Sequence, residues 1–148
     1  MYYVNSDLEK PHLVFIGRWC PLHKGHIHII ESKIKEKKLP ALILIRDTNF
    51  DIIDAYTRAE IIAKWIESEN ISASIMIIPD IEGIYYSRGV GYNVEEILVP
   101  DNIKAISATE IRSKIKSKDE SWKELVHVSA VKLIESALND RYFNTNTQ

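Results

Sequence analysis

The chain has one cysteine in 148 residues, Cys20, so no internal disulfide can form and no thiolate pair is available for zinc. A reducing setting is expected. Charge of one sign is lacking too: 19 basic residues against 21 acidic ones leave a formal net charge of -2. Without a global positive field to hold a polynucleotide backbone, no nucleic-acid partner is expected. No apolar run approaches the ~20 residues of a membrane span, and the start MYYVNSDLEK lacks a basic segment followed by an apolar stretch. These absences point to the cytoplasm and to no membrane partner. Two nucleotide signatures are missing as well. There is no GxxxxGK[ST] of a P-loop, and Gly89 and Gly91 lack the third glycine of a dinucleotide fingerprint, so they are expected to serve a turn.

What is present reads as one globular domain. Hydrophobic residues make up 45% and charged ones 27%, and the length suits a single core. We expect one domain over 1–148, with its core at about 12–138 and flexible termini. Apolar runs at His12–Gly17, Ala41–Ile45, Ser74–Ile78 and Ile103–Ile106 read as strands, each ending in polar residues or a helix start. Helical spacing follows the first run at Ile27, Ile30 and Ile34, and the second in TRAEIIAKWIESE, where Thr57 and Glu60 suggest a capping box. Strands buried on both faces and alternating with helices predict an α/β fold, a doubly wound parallel sheet of Rossmann-like order. Ligands then sit beyond the carboxyl ends of the strands, where His23, Asp47, Asp80 and Ser107 fall. Lys33, Lys35, Lys37 and Lys38 read as a solvated helix end. The tail RYFNTNTQ reads as frayed, with Tyr142 and Phe143 free to dock on the domain or a partner.

The densest chemistry lies in Gly17-Arg18-Trp19-Cys20-Pro21-Leu22-His23-Lys24-Gly25-His26, between the first strand and the first helix. Gly17 is expected to let a bulky ligand approach the backbone and Pro21 to fix the turn. Gly25 is expected to admit phosphate oxygens to the helix start, whose free N–H groups favour anions. His23 and His26 can face one ligand, with Arg18 and Lys24 adding positive charge. Two other readings stand beside this one: a loop of hydrogen-bonded histidines, or a metal site of His23, His26 and His28. The metal reading fits less well, because His28 points to a different helix face and no HExxH is present; we assign no metal ligand. A second cluster, Ile106-Ser107-Ala108-Thr109-Glu110-Ile111-Arg112, also precedes a helix. Ser107 and Glu110 form an S-x-x-E capping box that any helix can use, but a cap leaves Arg112 unexplained. An arginine in that first turn adds phosphate-binding donors to those of the backbone.

Together, G-x-x-x-P-x-H-x-G-H and I-S-x-T-x-x-R resemble the HxGH nucleotidyltransferase superfamily, and are most similar to its archaeal-type nicotinamide mononucleotide adenylyltransferases. The similarity runs from about His12 to Leu138. Asp54-Ala55-Tyr56-Thr57 stands where that subfamily has N-P-F-T, Ile78-Pro79-Asp80 resembles its I-P-D, and Trp122, Leu125 and Val126 resemble its W-x-x-L-V-P. His127 replaces the final proline, Arg46-Asp47-Thr48 replaces a small polar loop, and Tyr86 to Tyr92 differs from the acceptor-side sequence. These departures leave the acceptor open.

The resemblance implies transfer of AMP from ATP to a small phosphorylated acceptor with release of pyrophosphate, nicotinamide mononucleotide being the first acceptor to expect. It implies in-line attack by an acceptor phosphate oxygen on the α-phosphorus, with no covalent enzyme intermediate. His23, His26 and Arg112 would carry catalysis, and Gly17, Arg18, Gly25, Ser107, Thr109 and Arg112 would bind the nucleotide. Asp80 and Arg88 would contact the acceptor. Mg²⁺ would bridge the triphosphate, held largely by substrate oxygens and water. The alternatives are a cytidylyltransferase acting on a phosphorylated alcohol or sugar, and a catalytically silent nucleotide sensor. A homo-oligomer using Trp122 or Tyr142 stays open.

Overall fold

The computed structural model describes residues 1–48, 51–88 and 91–143, the side chains of 141–143 excepted. The elements run β1 (Tyr3–Asn5), β2 (Leu13–Gly17), α1 (Lys24–Lys37), β3 (Ala41–Asp47), α2 (Ala55–Glu69), β4 (Ala73–Pro79), α3 (Asp101–Lys104) and α4 (Ala108–Lys116). Two 3-10 turns follow, Glu120–Leu125 and Val128–Ala130, and then α5 (Val131–Phe143). The four strands make one open, mixed sheet in the order β1-β4-β3-β2, with β2, β3 and β4 parallel and β1 antiparallel to β4. Among the described residues no helix is long and apolar enough to cross a membrane.

Alternation along β3 and β4 decides where the core lies. Ala41, Ile43 and Ile45 pair in register with Ala73, Ile75 and Ile77, and of these only Ile77 keeps any exposed surface. On the opposite face Leu42, Leu44 and Met76 are only half-buried, and Val14 of β2 is 52% exposed. Burial on both faces, expected of a parallel sheet, is therefore complete on one face and reached on the other only at Ser74. Helix α2 brings Ala55, Ala59, Ile61, Ile62, Trp65 and Ile66 to the core as a helical stripe. It starts two residues before the expected Thr57, because Asp54 takes the N-cap. Asp54 accepts from the Thr57 amide at 2.8 Å and from its hydroxyl at 3.1 Å, so the Thr57–Glu60 box does not form.

Three more expectations are corrected. The run Ile103–Ile106 is not a strand; its first two residues end α3, which Asp101 opens and Lys104 closes in keeping with the helix dipole. The amino terminus is not loose, because Tyr3 and Asn5 turn inward and β1 pairs residue by residue with β4. Trp122 is 3% exposed and belongs to the core, so it offers no surface to a second subunit. The solvated helix end is present at Lys35 and Lys37, in the last turn of α1, and at Lys38, its left-handed C-cap, whereas Lys33 is partly buried and pairs with Glu36 at 2.9 Å and Glu95 at 3.5 Å. Gly91 has φ +76°, which glycine adopts freely. Gly89 and the side chains of Tyr142 and Phe143 lie outside the described residues.

Candidate functional site

The loop from Gly17 to His26 is built around its own aromatic rings. Trp19 has φ +55°, and its indole Nε1 donates to the Leu44 carbonyl at 3.0 Å. The indole lies on Gly17, where a Cβ would come within 2.9 Å of the Trp19 Cε2. Gly17 therefore makes room for Trp19. The Cys20–Pro21 peptide is cis. Cys20 is buried, and that burial pushes its thiol pKa up, which favours the neutral thiol.

His23 is the N-cap of α1. Its Nδ1 accepts from the Gly25 amide at 3.1 Å and the His26 amide at 3.4 Å, while the His26 Nδ1 accepts from the His23 amide at 3.2 Å. Two imidazoles thus reproduce the reciprocal geometry of a capping box. A Cβ on Gly25 would stand 2.8 Å from the His23 Cε1, so this glycine makes space for the imidazole. The cap corrects a further expectation, since the Gly25 and His26 N–H groups are spent on His23 and are not free for an anion.

The same hydrogen bonds determine the tautomers. An amide can only donate, so each Nδ1 carries a lone pair and each neutral ring holds its proton on Nε2. The rings stack with centroids 3.7 Å apart and planes 19° apart. Burial lowers the His23 pKa to about 4; burial, and after it the charge of His23, lowers that of His26 to about 3. At neutral pH the site therefore carries two uncharged imidazoles, each with an Nε2–H donor that meets no partner among the described residues.

Ser107 is the N-cap of α4 and accepts from the Glu110 amide at 3.1 Å. The box is only half formed, with the Glu110 carboxylate 3.5 Å from Lys114. Arg112 then joins the two motifs. Its Nη1 donates to the Cys20 carbonyl at 2.6 Å and its Nη2 to the Thr109 hydroxyl at 3.3 Å, tying α4 to the histidine loop across 92 residues of sequence.

Below these motifs lies Arg58, which the sequence reading missed. It is fully buried on α2. Its Nε donates to the Ile53 carbonyl at 2.8 Å, and its Nη1 to the carbonyls of Arg18 at 2.5 Å and Arg46 at 3.1 Å. Its Nη2 is 3.4 Å from the Asp51 carboxylate, near enough for ion pairing but not aligned as a hydrogen bond. Asp51, with its side chain 4% exposed, also takes the Thr48 hydroxyl and lies 3.5 Å from Arg18. One buried cation thus fastens the ends of β2 and β3 to α2. Position 58 falls on the stripe of Ile61, Ile62 and Trp65, and a charged residue on an apolar helix face was the available signal.

The two residues expected to meet the acceptor fare differently. Asp80 follows β4 and is taken by Arg46 at the end of β3, with Nη2 at 2.8 Å and Nε at 2.9 Å from Oδ1. The Arg46 hydrogen bond holds its carboxyl below the usual range. Arg88 is exposed in the irregular segment after β4, with no hydrogen bond or ion pair among the described residues. His28 does not converge with His23 and His26, and among the described residues no His, Cys, Asp or Glu group is placed to hold a metal. His127, in the position of the expected proline, has φ -70°, a value proline also adopts. Its imidazole bonds Ser129 and Glu69. No family model, curated protein or solved structure matches the chain.

Proposed function

We propose that the chain is a nucleotidyltransferase that moves AMP from ATP to a small phosphorylated acceptor. The observation that carries this reading is the stacked, neutral histidine pair, tied by Arg112 to the start of α4. A phosphate oxygen attacking the α-phosphorus has no proton to lose. The new P–O–P bond forms as the bond to the β-phosphate breaks, and pyrophosphate leaves with the electron pair. No general base is required, and a ring protonated on Nε2 while its Nδ1 is occupied cannot act as one. What the step requires is donors placed where charge develops, and two Nε2–H groups on rings locked by their own cap meet that requirement. Arg18, half-exposed, and the unspent N–H groups of Arg112 supply positive charge beside them. Ser107 and Thr109 stand at the adjoining helix start.

Asp51 and Asp80 are both paired with arginines, which fits an ion carried largely by triphosphate oxygens and water. When bound, Mg²⁺ would neutralise charge on the triphosphate. The stepwise parallel order β2-β3-β4 would form one half of the doubly wound sheet of our reading; the reversal of strand order that would begin a second half is not formed among the described residues. A buried free thiol and a nucleotide substrate both suit the cytoplasm. The test is incubation with each labelled nucleoside triphosphate and Mg²⁺ across a panel of phosphorylated acceptors, read as pyrophosphate. Acceptor-dependent release with ATP supports the proposal; preference for CTP moves the chain to the cytidylyltransferases; nucleotide binding without release makes it a sensor.

A further inference from the structure

Resting on that reading, we propose that Arg46 is the receptor for the acceptor's phosphate and that Asp80 occupies it until the acceptor arrives. In the proposed reaction the two histidines, Arg18 and Arg112 attend to the nucleotide, so the incoming phosphomonoester still lacks a cationic partner.

Arg46 is placed to be that partner. A single nitrogen of the buried Arg58 donates to the carbonyls of both Arg18 and Arg46, which sets the two residues side by side at the carboxyl ends of β2 and β3. Arg18 belongs to the histidine loop, so Arg46 stands one strand over, where a second phosphate can meet the first. The Arg46 backbone is fixed by the parallel register with Ile78 and by the Arg58 bond, so its side chain leaves a rigid base.

The present partner is a weak competitor. The Arg46 and Asp80 side chains are 32% and 52% exposed, and exposed ion pairs contribute little. The contact is also one-sided, because Nε and Nη2 both meet Oδ1, which in addition accepts from the Ile81 amide at 2.9 Å. Neither the Asp80 Oδ2 nor the Arg46 Nη1 has a hydrogen-bond or ion-pair partner among the described residues. A phosphate dianion, with three oxygens and twice the charge, can take the guanidinium through two parallel bonds. Displaced from Arg46, the Asp80 carboxylate becomes free to accept from a hydroxyl of the acceptor. The subsite thus selects phosphomonoesters that carry a nearby hydroxyl.

The two residues consequently have opposite effects on anion binding. Removing Arg46 removes the receptor; neutralising Asp80 removes the competitor. Inorganic phosphate is titrated calorimetrically into wild type, Arg46→Gln and Asp80→Asn, each saturated with α,β-methylene-ATP and Mg²⁺, and again into each free protein, with thermal melts confirming the fold. Arg46→Gln is expected to weaken phosphate binding about ten- to a hundredfold, the scale of a charge-assisted hydrogen bond, while Asp80→Asn tightens it several-fold. Unchanged binding in Arg46→Gln, or weakening in Asp80→Asn, overturns the proposal. If the proteins bind no nucleotide analogue but the free-protein titrations still show opposite signs, the anion subsite stands and the nucleotidyltransferase reading fails.

Discussion

Histidines at the two ends of the sheet use the same side chain in opposite ways. At the amino ends, His12 donates from Nδ1 to the Lys10 carbonyl at 2.8 Å, so its Nε2 accepts from the Ser6 hydroxyl at 2.8 Å. Ser6 in turn contacts the Ser74 hydroxyl at 2.5 Å, and Ser74 accepts from the Asn5 amide. Every ring nitrogen is consumed, and the network stitches β1 to β4. At the carboxyl ends, His23 and His26 accept at Nδ1 and keep Nε2–H unspent. What separates a structural histidine from one available to a ligand is therefore whether Nε2 is left unspent, and not whether the ring is hydrogen-bonded.

The largest expected effect is on stability at the carboxyl end. Arg58→Met strips hydrogen bonds from three carbonyls and leaves Asp51 without its buried cation, and removal of one partner from a buried pair costs about 3–5 kcal/mol. Urea unfolding measures this; a cost below about 1 kcal/mol means that Arg58 does not hold the strand ends together.

The next effect is on turnover. His26→Ala is expected to slow pyrophosphate release by about two to three powers of ten, the scale of one lost preorganised donor. His12→Ala should leave the rate unchanged and cost about 1 kcal/mol of stability through its network. Equal losses of rate in the two variants would erase the distinction between the two ends.

Arg112→Ala comes third. It removes a proposed phosphate donor and the tie to Cys20, so ATP affinity should fall about ten- to a hundredfold by calorimetry, as for a lost charge-assisted hydrogen bond. Wild-type affinity in this variant would separate the two motifs functionally.

The smallest effect concerns pH. With native pKa values of about 4 for His23 and about 3 for His26, both below the unfolded value of about 6.5, the unfolded chain binds more protons between these limits. Stability therefore rises with pH across that window, and the part due to these rings is lost as pH falls from about 6.5 through 4. His26→Gln should flatten this slope in urea titrations from pH 4.5 to 7, and the rate of the wild type should show no histidine inflection near pH 6.5. A clear inflection there, abolished by His26→Gln, would mean that the ring titrates in the open.

Local pattern was enough to place much of this molecule. The runs at Val14, Ile43 and Ile75 and the stripe through Ile61, Trp65 and Ile66 mark β2, β3, β4 and α2, because burial imposes periods of 2 and 3.6 on the sequence. The two polar clusters at the starts of α1 and α4 were equally legible, since helix starts have their own side-chain chemistry. Long-range pairing was not. Nothing local in Tyr3–Asn5 says that it joins β4 about 70 residues away, and Ile103–Ile106 has strand-like composition but is held by Pro100 and Asp101 in a helical turn.

What only the tertiary structure decided is how each polar group is used. Gly17 and Gly25 announced close approach, yet the groups that approach are Trp19 and His23 of the same loop. Asp80 announced a ligand contact, yet Arg46 reaches it from the neighbouring strand. Arg58, marked in the sequence only as a charge on an apolar helix face, holds the ends of two strands. Periodicity is a property of the chain against its average surroundings and can be read one element at a time. The partner of a hydrogen bond or an ion pair is a particular atom within about 3 Å, and only the folded chain determines which atom that is.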